Sequence, residues 1–207
     1  MGVFVKICGC ASAEDVRAVV DLRPDAVGFI CWPGSPRYVA PEAVIAWGQW
    51  VPPEIQRVGV FVDAALDTVN ALVHAGGLDI VQLHGRETPD YCAAVEAPRW
   101  KVVHLNREPL VADLESYPVD AFLLDYHAGD SPGGTGQRVD ARAAQEFVQS
   151  SPRKVVLAGG LKDDTVRQAI EQIRPWGVDV SSGVEQAPGV KDIKRVQEFI
   201  QQCRSVD

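Results

Sequence analysis

The sequence predicts a closed (β/α)8 barrel, and three observations carry that expectation. Eight short runs rich in β-branched residues alternate with stretches of helical periodicity, a pattern that implies parallel strand pairing. The connections are mostly short, and the chain of 207 residues lies within the range of this fold. The main alternative is a doubly wound open sheet. It is weakened by the absence of a G-x-G-x-x-G after the first strand, since a dinucleotide-binding sheet would need one. No linker or composition break divides residues 1–207, so a single domain is expected.

The first strand, Val3 to Cys8, is bounded by Gly9. Alternation places Phe4, Lys6 and Cys8 on one face and Val3, Val5 and Ile7 on the other. Ser12 reads as the N-cap of the helix that follows, with Asp15 at N3 as a shorter version of a capping box. Val16, Val19, Val20 and Leu22 give that helix its apolar face, and Pro24-Asp25 stop it. Ala26 to Ile30 is the second strand. Pro41 opens a helix that Pro52-Pro53 close off. Val58 to Val62 is the third strand, and the helix Leu66 to Ala75 ends at Gly76-Gly77. Leu78 to Leu83 is the fourth strand, with a short helix from Pro89, and Trp100 to His104 the fifth, with a helix expected over Glu108 to Tyr117. Ala121 to Asp125 is the sixth, followed by a glycine-rich loop through Gln137 and the helix Ala141 to Gln149. Lys154 to Ala158 and Gly177 to Ser181 are the seventh and eighth, with helices over Asp164 to Ile173 and around Ile193, Val196, Phe199 and Ile200. The units repeat architecturally, without convincing internal sequence identity.

A net charge of −8 argues against general binding to nucleic acid or acidic membranes. The longest apolar runs fall short of a membrane span. Five cysteines, Cys8, Cys10, Cys31, Cys92 and Cys203, are scattered and odd in number. They suggest neither a zinc site nor a disulfide framework and fit a reducing, cytoplasmic setting.

In such a barrel, function gathers at the carboxyl ends of the strands. The first strand delivers Cys8 there, with Lys6 one layer beneath, and the second strand's loop delivers Arg37. The fourth delivers Gln82 and His84, and the sixth Asp125, then Gly133-Gly134-Thr135-Gly136. Gly159-Gly160 follow the seventh strand, and Ser181-Ser182-Gly183 the eighth. Two adjacent glycine-rich turns leave backbone N–H groups free to approach an anion, so a phosphate is the expected guest. Arg37 has the planar fork that suits a carboxylate or phosphate, or it is a solvated loop residue. Asp125 ends an apolar strand and is a candidate general acid, or a turn aspartate. Cys8 is a candidate base, or a buried core thiol. His84 could serve as acid, base or strand-end cap. Asp179 shares parity with Ser181, so closure of the barrel would pair it with Lys6 and blunt the effect of that cation on Cys8.

The assembled motifs resemble those of the phosphoribosylanthranilate isomerase family. They are Lys6-Ile7-Cys8-Gly9, Gly28-Phe29-Ile30 with Ser35-Pro36-Arg37, Val58-Gly59-Val60-Phe61-Val62, Val81-Gln82-Leu83-His84-Gly85, and Leu123-Leu124-Asp125 with Gly133-Gly134-Thr135-Gly136. Leu157-Ala158-Gly159-Gly160-Leu161 and Asp179-Val180-Ser181-Ser182-Gly183-Val184-Glu185 with Pro188-Gly189-Val190-Lys191-Asp192 complete the set. The resemblance implies a barrel of the ribulose-phosphate-binding type and an Amadori rearrangement of N-(5-phosphoribosyl)anthranilate, without metal or organic cofactor. It implies Cys8 as general base and Asp125 as general acid. Arg37, His84 and Asp179 would bind substrate, with Gly159, Gly160, Ser181, Ser182 and Gly183 on its phosphate. The expected partner is this small phosphosugar, with no nucleic acid and no membrane, and the expected state is a monomer or homodimer. Ring opening needs an acid and enolisation a base, so the two groups must hold opposed protonation states. An ordinary thiol is mostly protonated at neutral pH, so its surroundings are expected to favour the thiolate. Two readings compete: another phosphosugar enzyme on the same type of barrel, and a non-catalytic phosphometabolite-binding protein.

Overall fold

The computed structural model describes residues 2–105, 114–125 and 141–206. Eight parallel strands close into a barrel in sequence order: β1 (Phe4–Cys8), β2 (Ala26–Ile30), β3 (Gln56–Phe61), β4 (Ile80–Leu83), β5 (Arg99–His104), β6 (Ala121–Asp125), β7 (Lys154–Ala158) and β8 (Gly177–Val180). The ring is sealed by β1 and β8, with Phe4 opposite Gly177 and Lys6 opposite Asp179. Helices α1 (Ala13–Asp21), α2 (Pro41–Gly48), α3 (Leu66–His74), α4 (Pro89–Ala94), α5 (Ala141–Ser150), α6 (Val166–Ile173) and α7 (Ile193–Arg204) form the outer layer. A short antiparallel hairpin, β9 (Glu185–Ala187) and β10 (Val190–Lys191), follows β8.

Alternation along each strand builds two cores. Val5, Ile7, Val27, Phe29, Val81, Leu83, Phe122, Leu124 and their equivalents face the helices. Ala26, Val58, Ile80, Trp100, Val102, Leu123 and Val156 fill the barrel. Phe4 and Trp176 close its amino-terminal end, their rings stacked at 4.6 Å, with the Trp100 ring edge-on to both. Lys154 Nζ lies 4.4 Å over the Trp176 ring. The carboxyl end carries smaller and polar side chains, among them Cys8, Gln82 and Asp125.

The amino-terminal face carries a repeat at every second strand. Asp25, Asp79 and Asp120 stand immediately before β2, β4 and β6. Each accepts the amide of the strand before it, Val5 N–H at 2.7 Å, Arg57 N–H at 2.8 Å and Arg99 N–H at 2.8 Å. Each donates its own amide back to the same residue's carbonyl at 2.8–2.9 Å. Arg204 from α7 braces Asp25 at 2.7 Å, and Arg57 braces Asp79 with two side-chain bonds. At the fourth such place, before β8, Trp176 stands instead. The repetition is structural, an aspartate in each of the first three strand pairs and Trp176 in the fourth.

Several local expectations are corrected. Ser12 does cap α1, accepting from Asp15 N–H at 3.1 Å. Asp15 does not return the bond. It accepts the Lys191 amide at 3.3 Å instead, because β10 packs over the start of α1. Asp25 clamps strands rather than stopping α1, which ends at Asp21 with Arg23 in the left-handed region at φ 53°. Helix α6 begins at Val166 rather than Asp164, and residues 114–116 form a single 3-10 turn. Of the helix expected over Glu108 to Tyr117, residues 108–113 lie outside the described residues and Tyr117 is not helical; His127 and Gly133-Gly134-Thr135-Gly136 also lie outside the described residues.

Candidate active site

Three groups of side chains gather at the carboxyl mouth of the barrel. The first surrounds Cys8, at the end of β1. Lys6 lies one layer beneath, fully buried, with Nζ 2.8 Å from Asp179 Oδ1 on β8. Neighbouring strands place these residues opposite one another, so barrel closure makes the pair. Gly28 on β2 faces Cys8 directly. A Cβ at Gly28 would lie 2.8 Å from Cys8 Sγ and 3.1 Å from Lys6 Cε, so this glycine provides the room that the sulfur and the lysine stem occupy. Burial pushes the Cys8 thiol up, Lys6 opposes that, and Asp179 adds to it; the net direction is upward from 9.0. The expectation that the surroundings favour the thiolate is corrected here: Asp179 takes up the lysine charge and desolvation dominates. Cys10, buried and aimed at the Ile7 carbonyl, is pushed up to about 12 by burial, as expected of a structural thiol.

The second group surrounds Asp125, at the end of β6. His84, from the loop after β4, brings Nε2 to 3.5 Å from Asp125 Oδ2. The buried Gln82 side chain contacts His84 Nδ1 at 3.4 Å. His104 ends β5 directly opposite Asp125, and its ring lies 5.6 Å from that of His84. On the helix-facing side of the wall, buried Glu87 ties the loops after β3 and β4 together. It accepts from Asp63 N–H, Gly85 N–H and Lys101 Nζ at 2.8–3.1 Å. That network fixes the backbone that carries His84. His104, Glu87 and Lys101 were not singled out in the sequence; pairing of β5 with β6 is the signal that finds His104.

The third group is the pair of glycine turns after β7 and β8. Gly159 and Gly160 have φ of 83° and 68°, a region that other residues enter at a cost. Gly183 is required for a different reason: a Cβ there would run into the Leu161 carbonyl oxygen. The two turns are thus in backbone contact. Ser182 opens a single 3-10 turn, Ser182–Val184. Ser181 leans toward the first group, its Oγ 2.8 Å from where a Gly9 Cβ would be, and this oxygen has no hydrogen bond among the described residues.

Arg37 joins the first group from the loop after β2. The solvated alternative does not hold: its side chain is 19% exposed, and it clasps Glu185 with Nε at 2.8 Å and Nη2 at 2.6 Å. Glu185 also accepts from Lys191 Nζ at 2.9 Å. Burial pushes the Glu185 carboxyl up, but the bonds from Arg37 and the Lys191 charge outweigh it, and the net direction is below 4.5. Asp179, expected as Lys6's partner and as a substrate ligand, occupies the first role, buried below the mouth. No group of three or more His, Cys, Asp or Glu side chains suited to a metal ion occurs among the described residues, and no helix there is long and apolar enough to cross a membrane.

Comparison with known proteins gives a consistent picture. The family model for N-(5'phosphoribosyl)anthranilate (PRA) isomerase matches residues 5–202. The N-(5'-phosphoribosyl)anthranilate isomerase of Geobacter sp. (strain M21) is 43% identical over 202 residues, 98% of each chain. The crystal structure of phosphoribosyl anthranilate isomerase from Thermotoga maritima superposes with a TM-score of 0.90 at 35% identity, covering 99% of this chain and all of that one. A second structure, of a phosphoribosyl anthranilate isomerase in complex with reduced 1-(o-carboxyphenylamino)-1-deoxyribulose 5-phosphate, gives 0.86 at 34% identity with the same coverage. With both the sequence and the barrel matching along nearly their whole length, the chain belongs to the N-(5'-phosphoribosyl)anthranilate isomerase family.

Proposed function

We propose that this chain converts N-(5-phosphoribosyl)anthranilate to 1-(2-carboxyphenylamino)-1-deoxyribulose 5-phosphate, the isomerase step of tryptophan biosynthesis, as a single cytoplasmic barrel domain. The observation that carries the residue assignment is the placement of Cys8 on β1 and Asp125 on β6 at the same mouth, Cys8 above the Lys6–Asp179 pair and Asp125 beside His84. Asp125 delivers a proton to the ring oxygen. The bond from that oxygen to C1 breaks as the nitrogen lone pair forms a C1=N iminium, and the furanose opens. Cys8, as thiolate, then removes the C2 proton. The C2–H electrons become the C1–C2 portion of an enolamine, and the iminium electrons return to nitrogen. Protonation at C1 with loss of the C2 hydroxyl proton gives the ketone, so the reaction is balanced without an external oxidant or reductant.

His84 orients the Asp125 carboxyl, and Arg37 receives the anthranilate carboxylate. The turns at Gly159-Gly160 and Ser182-Gly183 receive the phosphate through backbone N–H groups, with Ser181 beside them. Asp179 acts from below, through Lys6. Among the groups around Cys8, Lys6 is the one that most favours the thiolate this step requires, against burial and Asp179.

Growth rescue of a tryptophan auxotroph lacking the isomerase tests the activity. Failure of a well-expressed, folded protein to rescue would rule it out. Cys8→Ala tests the base: turnover should fall by at least about a thousandfold, on the scale of losing an essential acid–base group, while product still binds. Retained turnover would place the base elsewhere.

A further inference from the structure

Arg37 is a long side chain on a loop, and a carboxylate receptor of that kind needs support to hold one orientation. The support is unusually complete. Ser35 Oγ accepts the Arg37 backbone amide at 3.1 Å. Glu185 occupies the Nε–Nη2 edge of the guanidinium with two bonds, while Nη1 makes no hydrogen bond among the described residues. Glu185 does not fully neutralise its guest, because it shares its charge with Lys191 Nζ at 2.9 Å. Lys191, only 3% exposed, is itself fixed. Its ammonium donates to the Ser181 carbonyl at 3.2 Å, and its amide to Asp15 on α1. The arginine stem passes 2.9 Å from where a Gly9 Cβ would be, next to Cys8, so the fork stands at the mouth on the side of the base.

We infer that Glu185, carried by the hairpin β9–β10 and anchored by Lys191, is a positioning residue that sets the fork of Arg37 and thereby the preference for a carboxylate on the substrate's aromatic ring. The inference deepens the proposed function and rests on Arg37 as the carboxylate receptor. Glu185 does not touch the reacting atoms. It fills one edge of the guanidinium so that an incoming carboxylate is taken only from the other.

The test is calorimetric binding of two probes to full-length protein: reduced 1-(o-carboxyphenylamino)-1-deoxyribulose 5-phosphate, and its counterpart without the carboxylate. Glu185→Gln removes the charge and Glu185→Asp retracts it by one methylene, which keeps the ion pair with Lys191 available for folding. Each is expected to weaken the carboxylated probe about tenfold or more, in line with the loss of one charge-assisted bond, and the other probe less than about twofold. In the Arg37→Ala background the Glu185 substitutions should add nothing, since residues acting as one unit are non-additive. Equal loss for both probes in the Glu185 variants, or no loss, overturns the inference. If Arg37→Ala itself fails to discriminate the probes, the underlying role of Arg37 falls first, and the two failures are thereby told apart.

Discussion

Removing either half of the Lys6–Asp179 pair should separate two effects that the intact barrel holds together. At 2.8 Å the pair attracts with about 6 kcal/mol at an effective dielectric constant of about 20. Desolvation of both ions opposes this by several kcal/mol each, so the intact pair sits near neutrality while a half-pair is costly. Lys6→Met leaves Asp179 buried and alone, and should destabilise the fold by about 3–5 kcal/mol. For a domain of this size that corresponds to a melting temperature lower by about 6 to 20 °C. Asp179→Asn should cost a similar amount, yet its effect on Cys8 has the opposite sign. It removes the carboxylate that raises the thiol pKa and frees the lysine that lowers it. The thiol pKa should therefore fall in Asp179→Asn and rise in Lys6→Met, each unit corresponding to about 1.4 kcal/mol. The assay is iodoacetamide alkylation at Cys8 followed by peptide mass spectrometry across pH, alongside thermal melts. A Cys8 pKa that stays put or rises in Asp179→Asn would refute the reasoning, as would a Lys6→Met protein that melts with the wild type.

Gly28→Ala should press a methyl group against Cys8 Sγ; turnover is expected to drop at least about a hundredfold for a displaced base, with only about 1–3 kcal/mol lost in a denaturant melt. Gly183→Ala should force the turns after β7 and β8 apart at the Leu161 carbonyl, raising KM for the phosphosugar about tenfold or more, whereas inorganic phosphate as a competitor should weaken in parallel. Because the folded thiol of Cys8 is raised above 9.0, kcat/KM should keep climbing with pH beyond that value. Over the same range stability should decline, since the unfolded chain releases the thiol proton first. A flat alkaline profile measured with a stable buffer series would count against Cys8 as the base.

The strands were legible because parallel barrel strands are buried on both faces and read as continuous β-branched runs bounded by turn residues. Val155-Val156-Leu157 and Phe122-Leu123-Leu124 are of this kind, and both lie where expected. Parity along β1 and β8, together with closure of the ring, was enough to pair Lys6 with Asp179 from sequence. What escaped depends on partners that no local pattern connects. Glu185 reaches Arg37 across 148 positions, and Asp15 looked like a capping residue until β10 was seen above it. The aspartate repeat was present as Asp25-Ala26-Val27, Asp79-Ile80-Val81 and Asp120-Ala121-Phe122. An acidic residue before an apolar run, however, reads as a solvated turn until the preceding strand's amide is placed on it. The placement of Asp125 and Cys8 at strand ends was legible; the direction of the thiol's pKa was not, because it is decided by depth below the mouth rather than by residue type.

The seam between β1 and β8 also bears on how the barrel comes together in time. Lys6 and Asp179 are 173 positions apart, and every other neighbouring pair in the ring is far closer in sequence. Loop-closure entropy grows only slowly with length, so the span itself is no great penalty, but this contact is rewarded only once the intervening strands are in place. It is therefore expected to form in the final step of assembly. Paired substitution of Lys6 and Asp179 by apolar residues should leave the refolding arm of a chevron unchanged and move the unfolding arm. The seam beneath Cys8 is then the place where closing and reopening of the ring are to be read.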